Sequence, residues 1–299
     1  CETGLGPKQF ATPEYAAVAN YGYHLDATKL GTLLRPHAEE RLGVRHVADH
    51  MVAVVPADDG GIAALETRGH GALEGDLFID CSGLRSLLIG GHFGVPKVDR
   101  TDILFNDRAQ ALQVDYASPD APVACQTTAT AQAHGWIWDI GLPTRRGLGH
   151  VYSSRDCSDD EAAARLLALA RRTGAAEHSL AKSPRLITLE PGYRRDCWVH
   201  NCVGIGLAAG FVEPLEASSL VLVELAAWAL AEQFPTRRDD LPQLARRFND
   251  AFRYRWERVI DFLKLHYAVS RRDDSDYWRR HRDPATWTEA LREGLSLWR

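Results

Sequence analysis

The chain has 299 residues, of which 45% are hydrophobic and 25% charged, so it can form one large or two modest globular domains. A net charge of −5 without any basic block argues against a nucleic-acid partner. The longest apolar stretch, 220–234, contains Glu224 and Glu232 and is too short and too charged to cross a bilayer, so we predict no membrane partner.

The cysteine and histidine spacings point to neither a disulfide framework nor a metal. Six cysteines are scattered without a Cys-x-x-Cys or zinc spacing, which predicts mostly buried, reduced thiols and a cytoplasmic location. His134 and His150 could meet across a hairpin, but no third ligand has a metal-binding spacing. We therefore predict no metal site.

The first part of the chain combines a helix with short strands. Asp26 can cap a helix in which apolar residues recur every three to four positions, and Pro36 is expected to kink or split it. Residues 51–55 and 62–67 have strand patterns joined by a turn at 58–61. A third strand at 76–80 leads into a turn and a helix, as at the edge of a doubly wound sheet.

The middle of the chain is strand-rich and the end is helical. Alternating apolar residues within about 95–155 predict an antiparallel sheet, in which Trp136 and Trp138 share one face. Ser158 and Glu161 form a capping box for the next helix. We predict an α/β module over 1–219 that contains this sheet, and a mainly helical region over 220–299 with helices at 220–234, roughly 240–270 and 284–298.

Glycines, an acid and a helix start follow one another closely in the segment 203–220. Val203 and Ile205 end a strand, and Gly204 and Gly206 let a ligand approach the backbone. Glu216 comes just before Ser218 and Ser219, which are good N-cap residues for a helix beginning near Leu220. Because a helix N-terminus binds anions, this segment predicts a site that combines an acid with an anion.

Five segments stand out together and in a fixed order: Tyr23–Ala27, Asp76–Gly83, Gly135–Ile140, Asn201–Gly206 and Gly210–Glu216. Their sequences and order resemble the flavin-dependent tryptophan halogenases. The Trp-x-Trp-x-Ile element is the strongest marker, since it separates that family from flavin monooxygenases. The resemblance covers nearly the whole chain and implies a partial FAD-binding doubly wound module with an antiparallel sheet insertion.

The resemblance also implies a reaction and the residues that perform it. Reduced FAD from a separate reductase, oxygen and a halide (chloride or bromide) give hypohalous acid, which halogenates tryptophan or another indole. Glu216 matches the family's catalytic glutamate, and the backbone N–H groups of Ser218 and Ser219 match the halide site. The expected cofactor contacts are Met51, Gly204, Gly206, Leu207 and Leu220, with Trp136 and Trp138 walling the flavin.

Departures from the family pattern leave alternatives open. This chain has Ala-Ser-Ser after Glu216, which keeps the backbone donors, and Ile140-Gly141 where the family has Ile-Pro. The family's Gly-x-Gly-x-x-Gly turn and lysine precede the region matched by residue 1, so we expect weak or no FAD binding and no halogenation by these 299 residues alone. A flavin monooxygenase and a non-catalytic remnant or interaction module are the alternatives, and the antiparallel region could carry a homodimer interface.

Overall fold

A computed structural model describes residues 6, 8–13, 16 and 21–298. The cysteine at position 1 lies outside these residues. The described α-helices are α1 (Ala27–Leu42), α2 (Asp159–Arg172), α3 (Glu177–Leu180), α4 (Ser218–Glu232), α5 (Leu241–Ala268), α6 (Asp276–His281) and α7 (Glu289–Leu297). In the part of the chain described, no helix is both long and apolar enough to span a membrane.

The described strands fall into two runs in chain order, the first between α1 and α2 and the second between α3 and α4. They are β1 (Met51–Pro56), β2 (Ile62–Thr67), β3 (Gly71–Glu74), β4 (Phe78–Asp80), β5 (Lys97–Asp99), β6 (Arg108–Asp115), β7 (Thr128–Gln132), β8 (Gly135–Gly141), β9 (Arg145–Tyr152), β10 (Arg185–Thr188), β11 (Gly192–Arg194), β12 (Trp198–Val199), β13 (Cys202–Gly204) and β14 (Gly210–Phe211). The predicted mixed α/β class is confirmed.

The contacts group the chain into two compact units, residues 1–46 with 107–188 and residues 47–106 with 189–299. The boundary predicted at residues 219 and 220 stays a prediction. In the first unit, β10-β6-β9-β8-β7 form one antiparallel sheet, as the alternating pattern predicts. Its buried core includes Val114, Ile137 and Leu166, and Leu166 comes from α2.

The second unit contains three small sheets and the C-terminal helices. The hairpin predicted at 51–67 is confirmed as β1 and β2, and β3 extends it. One parallel pair, β4 with β13, places the chain segment after Asp80 beside the segment after Gly204. Apolar side chains of α4 and α5 pack on β13 to form the main core of this unit.

Several helix predictions need correction. Asp26 caps α1 as predicted, but Pro36 does not split this helix. After β4 the predicted turn is a 3-10 turn, Gly83–Arg85, and the helix that follows is a π-helix, Leu87–His92. The predicted helix at 284–298 is shorter, because a 3-10 turn over Pro284–Thr286 precedes α7.

Ser158 caps α2 through its side chain, since its Oγ accepts the Glu161 N–H at 3.2 Å. The Glu161 carboxylate accepts a hydrogen bond from the Arg165 guanidinium at 2.8 Å, so these two side chains form an ion pair one turn apart on α2. Five described cysteines are free thiols. Cys157, Cys197 and Cys202 are buried, whereas Cys81 and Cys125 are exposed.

Candidate functional site

A cavity of about 260 Å³ lies in the second unit beside the start of α4. Gly204, Gly206 and Leu207 form one part of its wall, and Ser219 and Leu220 form another. The rest of the lining is mostly apolar and comes from α4, α5 and the chain around β14: Ile205, Ala209, Gly210, Leu222, Val223, Ala226, Phe252 and Trp256. Five residues singled out in the sequence therefore lie around one cavity.

The glycines fit the geometry of this wall. Gly206 has a φ of +68°, in the left-handed region that other residues adopt only with strain. A Cβ on Gly204 would lie 3.0 Å from Cγ1 of Ile89, so a side chain there would push the Ile89 side chain of the π-helix out of its place by a few tenths of an ångström. The turn between β13 and α4 is thus lined by backbone that a ligand can approach closely.

The helix start differs from the sequence prediction. Helix α4 begins at Ser218, and its N-cap residue is Ala217, which makes no side-chain cap hydrogen bond. The prediction that Ser218 or Ser219 caps a helix near Leu220 is therefore wrong, because both serines lie within the first turn. The first N–H groups of a helix have no acceptor within the helix, and this end carries partial positive charge.

The turn that carries Glu216 has an unusual backbone. Glu216 (φ 60°, ψ 18°) and Ala217 (φ 51°, ψ 24°) are both left-handed, a conformation that costs non-glycine residues about 1–2 kcal/mol each. The Glu216 side chain is 55% exposed, and its Oε1 lies 3.9 Å from Nε2 of His266. The carboxylate is therefore accessible at the same turn as the start of α4.

Ser219 contributes a buried polar atom to the cavity region. Its Oγ is buried and, within the part of the chain that the structure describes, has no hydrogen-bond partner. Buried hydroxyl groups normally have a partner, and those without one call for an explanation such as an ion or a ligand. The Ser219 hydroxyl and the first N–H groups of α4 are hydrogen-bond donors, so together they are suited to bind an anion.

The remaining predicted cofactor contacts lie elsewhere. Met51, in β1, packs against the apolar cluster around Ile62 and does not line the cavity. Trp136 and Trp138 belong to the first unit, where their rings lie 6.1 Å apart at an angle of 59°. Trp136 is 5% exposed, so its ring is almost entirely buried. The flavin contacts assigned to these residues stay predictions.

The second unit also holds a buried polar cluster that no sequence pattern predicts. The Lys264 Nζ lies 3.0 Å from the Ile103 carbonyl oxygen and 3.0 Å from Nδ1 of His281, and it lies over the ring of Phe105. Burial lowers the pKa of Lys264 to about 7 and lowers the pKa of His281 well below its usual value. No local spacing signals the cluster, because its members come from distant segments.

Glu213 belongs to the same cluster and is 2% exposed. Its Oε1 accepts a hydrogen bond from the Tyr267 hydroxyl at 2.7 Å, and its Oε2 accepts from Nδ2 of Asn106. Burial, together with the nearby Glu213 carboxylate, raises the pKa of Tyr267 well above its usual value. Among the described residues, no group of three metal-binding side chains comes together.

Comparisons with known proteins agree with this geometry. The family model of the tryptophan halogenases matches residues 5–299. Tryptophan 6-halogenase SttH of Streptomyces toxytricini is 37% identical over 93% of this chain and 52% of its own length, and tryptophan 7-halogenase RebH of Lentzea aerocolonigenes is 35% identical over 94% and 52%. The crystal structure of a tryptophan halogenase from Shewanella frigidimarina is 45% identical with a TM-score of 0.94, covering 100% of this chain and 56% of that one.

Solved structures that this chain resembles include proteins named as flavin-dependent halogenases, among them Tar14, 36% identical with a TM-score of 0.86 over 92% of this chain and 53% of that one. The chain belongs to the tryptophan halogenase family. It spans about half the length of the curated relatives that it matches.

Proposed function

We propose that this chain carries the flavin-facing and halide-facing part of an enzyme that halogenates tryptophan or another indole. The co-substrates are reduced FAD from a separate reductase, oxygen, and chloride or bromide. The observation that carries the proposal is the convergence on one cavity of Gly204, Gly206, Leu207, Ser219 and Leu220, with Glu216 at the adjoining turn. The relatives named as tryptophan halogenases support the substrate class.

The residues around the cavity fit a flavin ring. Backbone at Gly204 and Gly206 and apolar side chains at Leu207 and Leu220 suit the flat face of such a ring. The cavity volume of about 260 Å³ lies below the roughly 300–1,000 Å³ of whole small-molecule sites, so this wall would hold only part of FAD. The flavin, when bound, supplies the oxidation of halide to hypohalous acid.

The chain's own groups then have separate tasks. The N–H groups of Ser218 and Ser219, at the start of α4, hold the halide, which the helix dipole favours. Glu216 accepts the proton of the ring carbon while the carbon–halogen bond forms and the halogen–oxygen bond of hypohalous acid breaks. The departing hydroxide becomes water when that proton is returned to it, so Glu216 ends in its starting state.

The test is Glu216→Gln, with Glu224→Gln as the matched control, because Glu224 is an exposed carboxylate on α4. Each variant is tested in a chimaera in which these 299 residues replace the matching region of a tryptophan halogenase relative, because that relative supplies the Gly-x-Gly-x-x-Gly turn and the lysine without which we expect no halogenation. The chimaeras receive enzymatically reduced FAD and tryptophan, with and without bromide, and the products are separated by mass. We expect halide-dependent product from the parent chimaera and from the control, and a loss of about 10²- to 10⁴-fold with Glu216→Gln, the usual contribution of a positioned acid or base. Hydroxylated product formed without halide, no product from the parent chimaera, or equal losses in both variants would contradict the proposal.

A further inference from the structure

The buried carboxylate of Glu213 lies three residues before Glu216, at the start of the same turn. Both of its oxygens accept hydrogen bonds from buried donors: Oε1 from Tyr267 at 2.7 Å and Oε2 from Asn106. Asn106 also donates to the Tyr267 hydroxyl at 3.0 Å, and its Oδ1 accepts from Tyr277 at 2.9 Å. Because a buried carboxylate is tolerated only when it is paired, these contacts fix the side chain of Glu213 in one place.

Consecutive residues of α5 contact both acids of the turn. Tyr267 donates to Glu213, and His266 places Nε2 3.9 Å from Oε1 of Glu216. The Nδ1 of His266 lies 2.8 Å from the Phe262 carbonyl oxygen, which can only accept, so Nδ1 carries a hydrogen and Nε2 is left to face Glu216. Helix α5 therefore donates a hydrogen bond to Glu213 and brings an imidazole nitrogen to 3.9 Å from the Glu216 carboxylate.

The segment between these contacts requires an anchor. Glu216 and Ala217 are both left-handed, and such a conformation persists only where the surroundings impose it. Leu215 packs against the core, and Leu222 is buried on the following helix. Glu213 supplies the hydrogen-bonded anchor on the N-terminal side of the strained pair.

We propose that Glu213 is a positioning residue, which through Tyr267 and Asn106 holds Glu216 and the first turn of α4 in their working geometry. This inference rests on the proposed function of Glu216 and α4. Glu213 itself is 2% exposed and does not line the cavity beside α4, so in this proposal it acts only through the turn.

The experiment compares Tyr267→Phe with Tyr193→Phe. Both tyrosines are buried in the second unit, and each donates its hydroxyl to a carboxylate, Glu213 and Glu257 respectively. Hydrogen exchange is measured by mass spectrometry on peptides covering residues 213–224. We expect Tyr267→Phe to speed exchange there by about 10- to 100-fold, the equivalent of a lost charge-assisted hydrogen bond, and Tyr193→Phe to leave it within about threefold of the parent chain.

Two further measurements distinguish a positioning role of Glu213 from a general loosening of the turn: the imidazole ¹⁵N signals of His266, and the rescue of a Glu213 variant by a second substitution. The imidazole ¹⁵N signals of His266 should move in Tyr267→Phe and stay in place in Tyr193→Phe, because Glu216 shifts only in the first. In Glu213→Gln the new side-chain NH₂ group faces the NH₂ group of Asn106, so two donors meet and hydrogen exchange over residues 213–224 should rise. Adding Asn106→Asp replaces one of these donors by an acceptor. The double variant should therefore return exchange to within about threefold of the parent chain. Equal effects of the two tyrosine variants, or a double variant worse than Glu213→Gln, would overturn the proposal.

These measurements need neither cofactor nor turnover, so their outcome does not depend on whether the proposed function is correct. If Glu216→Gln retains halogenation while Tyr267→Phe loosens the turn selectively, the role of Glu216 is refuted and the anchoring by Glu213 stands. If the turn is equally protected in both tyrosine variants, the anchoring is refuted whatever the activity.

Discussion

Replacing Gly149 with alanine should displace the ring of Trp138. Gly149 in β9 pairs with Trp138 in β8, and the indole lies across the glycine. A Cβ at this position would lie 1.9 Å from Cζ2 and 2.1 Å from Cη2 of Trp138, far inside van der Waals contact. The ring must move off the strand, and overpacking of this kind costs about 1–3 kcal/mol.

Gly147→Ala on the same strand is the matched control, because no atom lies within 4 Å of a Cβ built there. The assay is urea unfolding of both variants, followed by near-ultraviolet circular dichroism, which also reports the coupling of Trp136 with Trp138. We expect Gly149→Ala to lower the free energy of unfolding by about 1–3 kcal/mol and to change the tryptophan signal, and Gly147→Ala to be neutral or stabilising by up to about 1 kcal/mol. Equal effects of the two substitutions would refute the packing of Trp138 over Gly149.

Further predictions concern buried polar groups of the second unit. Burial lowers the pKa of Lys264 from its ordinary 10.5 to about 7, so between these two pH values the unfolded chain binds more protons than the folded chain. The free energy of unfolding should therefore rise with pH from about 7 to 10.5, by up to about 1.4 kcal/mol per pH unit. Lys264→Met should remove that slope in urea titrations, and an unchanged slope would contradict the burial of this amine. Ser219→Ala removes a buried hydroxyl that has no partner among the described residues, so thermal unfolding should show equal or slightly higher stability; a loss of more than about 1 kcal/mol would mean that the hydroxyl makes a hydrogen bond.

The sequence predicts those parts of the fold in which local pattern and packing agree. The alternation around Trp136 and Trp138 gives the antiparallel sheet because one face of each strand is buried. The capping residues Asp26 and Ser158 give the starts of α1 and α2, since each side chain accepts backbone N–H groups nearby. The π-helix after β4 is not predictable in this way. It depends on the Asp80 carboxylate accepting N–H groups eight and nine residues further on.

The candidate site is predictable only where it is local. Gly204, Gly206 and Glu216 can be recognised as candidate site residues because turn glycines and an acid before a helix form a motif within one short segment. The left-handed Ala217 at the N-cap could not be predicted, because serines are the better capping residues and alanine seldom adopts this conformation. Glu213 was missed since its partner Asn106 lies 107 residues away in sequence.

The central claim is that a flavin binds against the cavity beside α4, and its most direct test is a flavin-fluorescence titration of two neighbouring variants. Leu220 and Val221 are both exposed on α4, but only Leu220 lines the cavity. Leu220→Glu and Val221→Glu add the same charge one residue apart. We predict saturable quenching of FAD fluorescence by the parent chain, however weak the binding, retained with Val221→Glu and lost with Leu220→Glu. Quenching that does not saturate, or that falls equally in both variants, would contradict the claim.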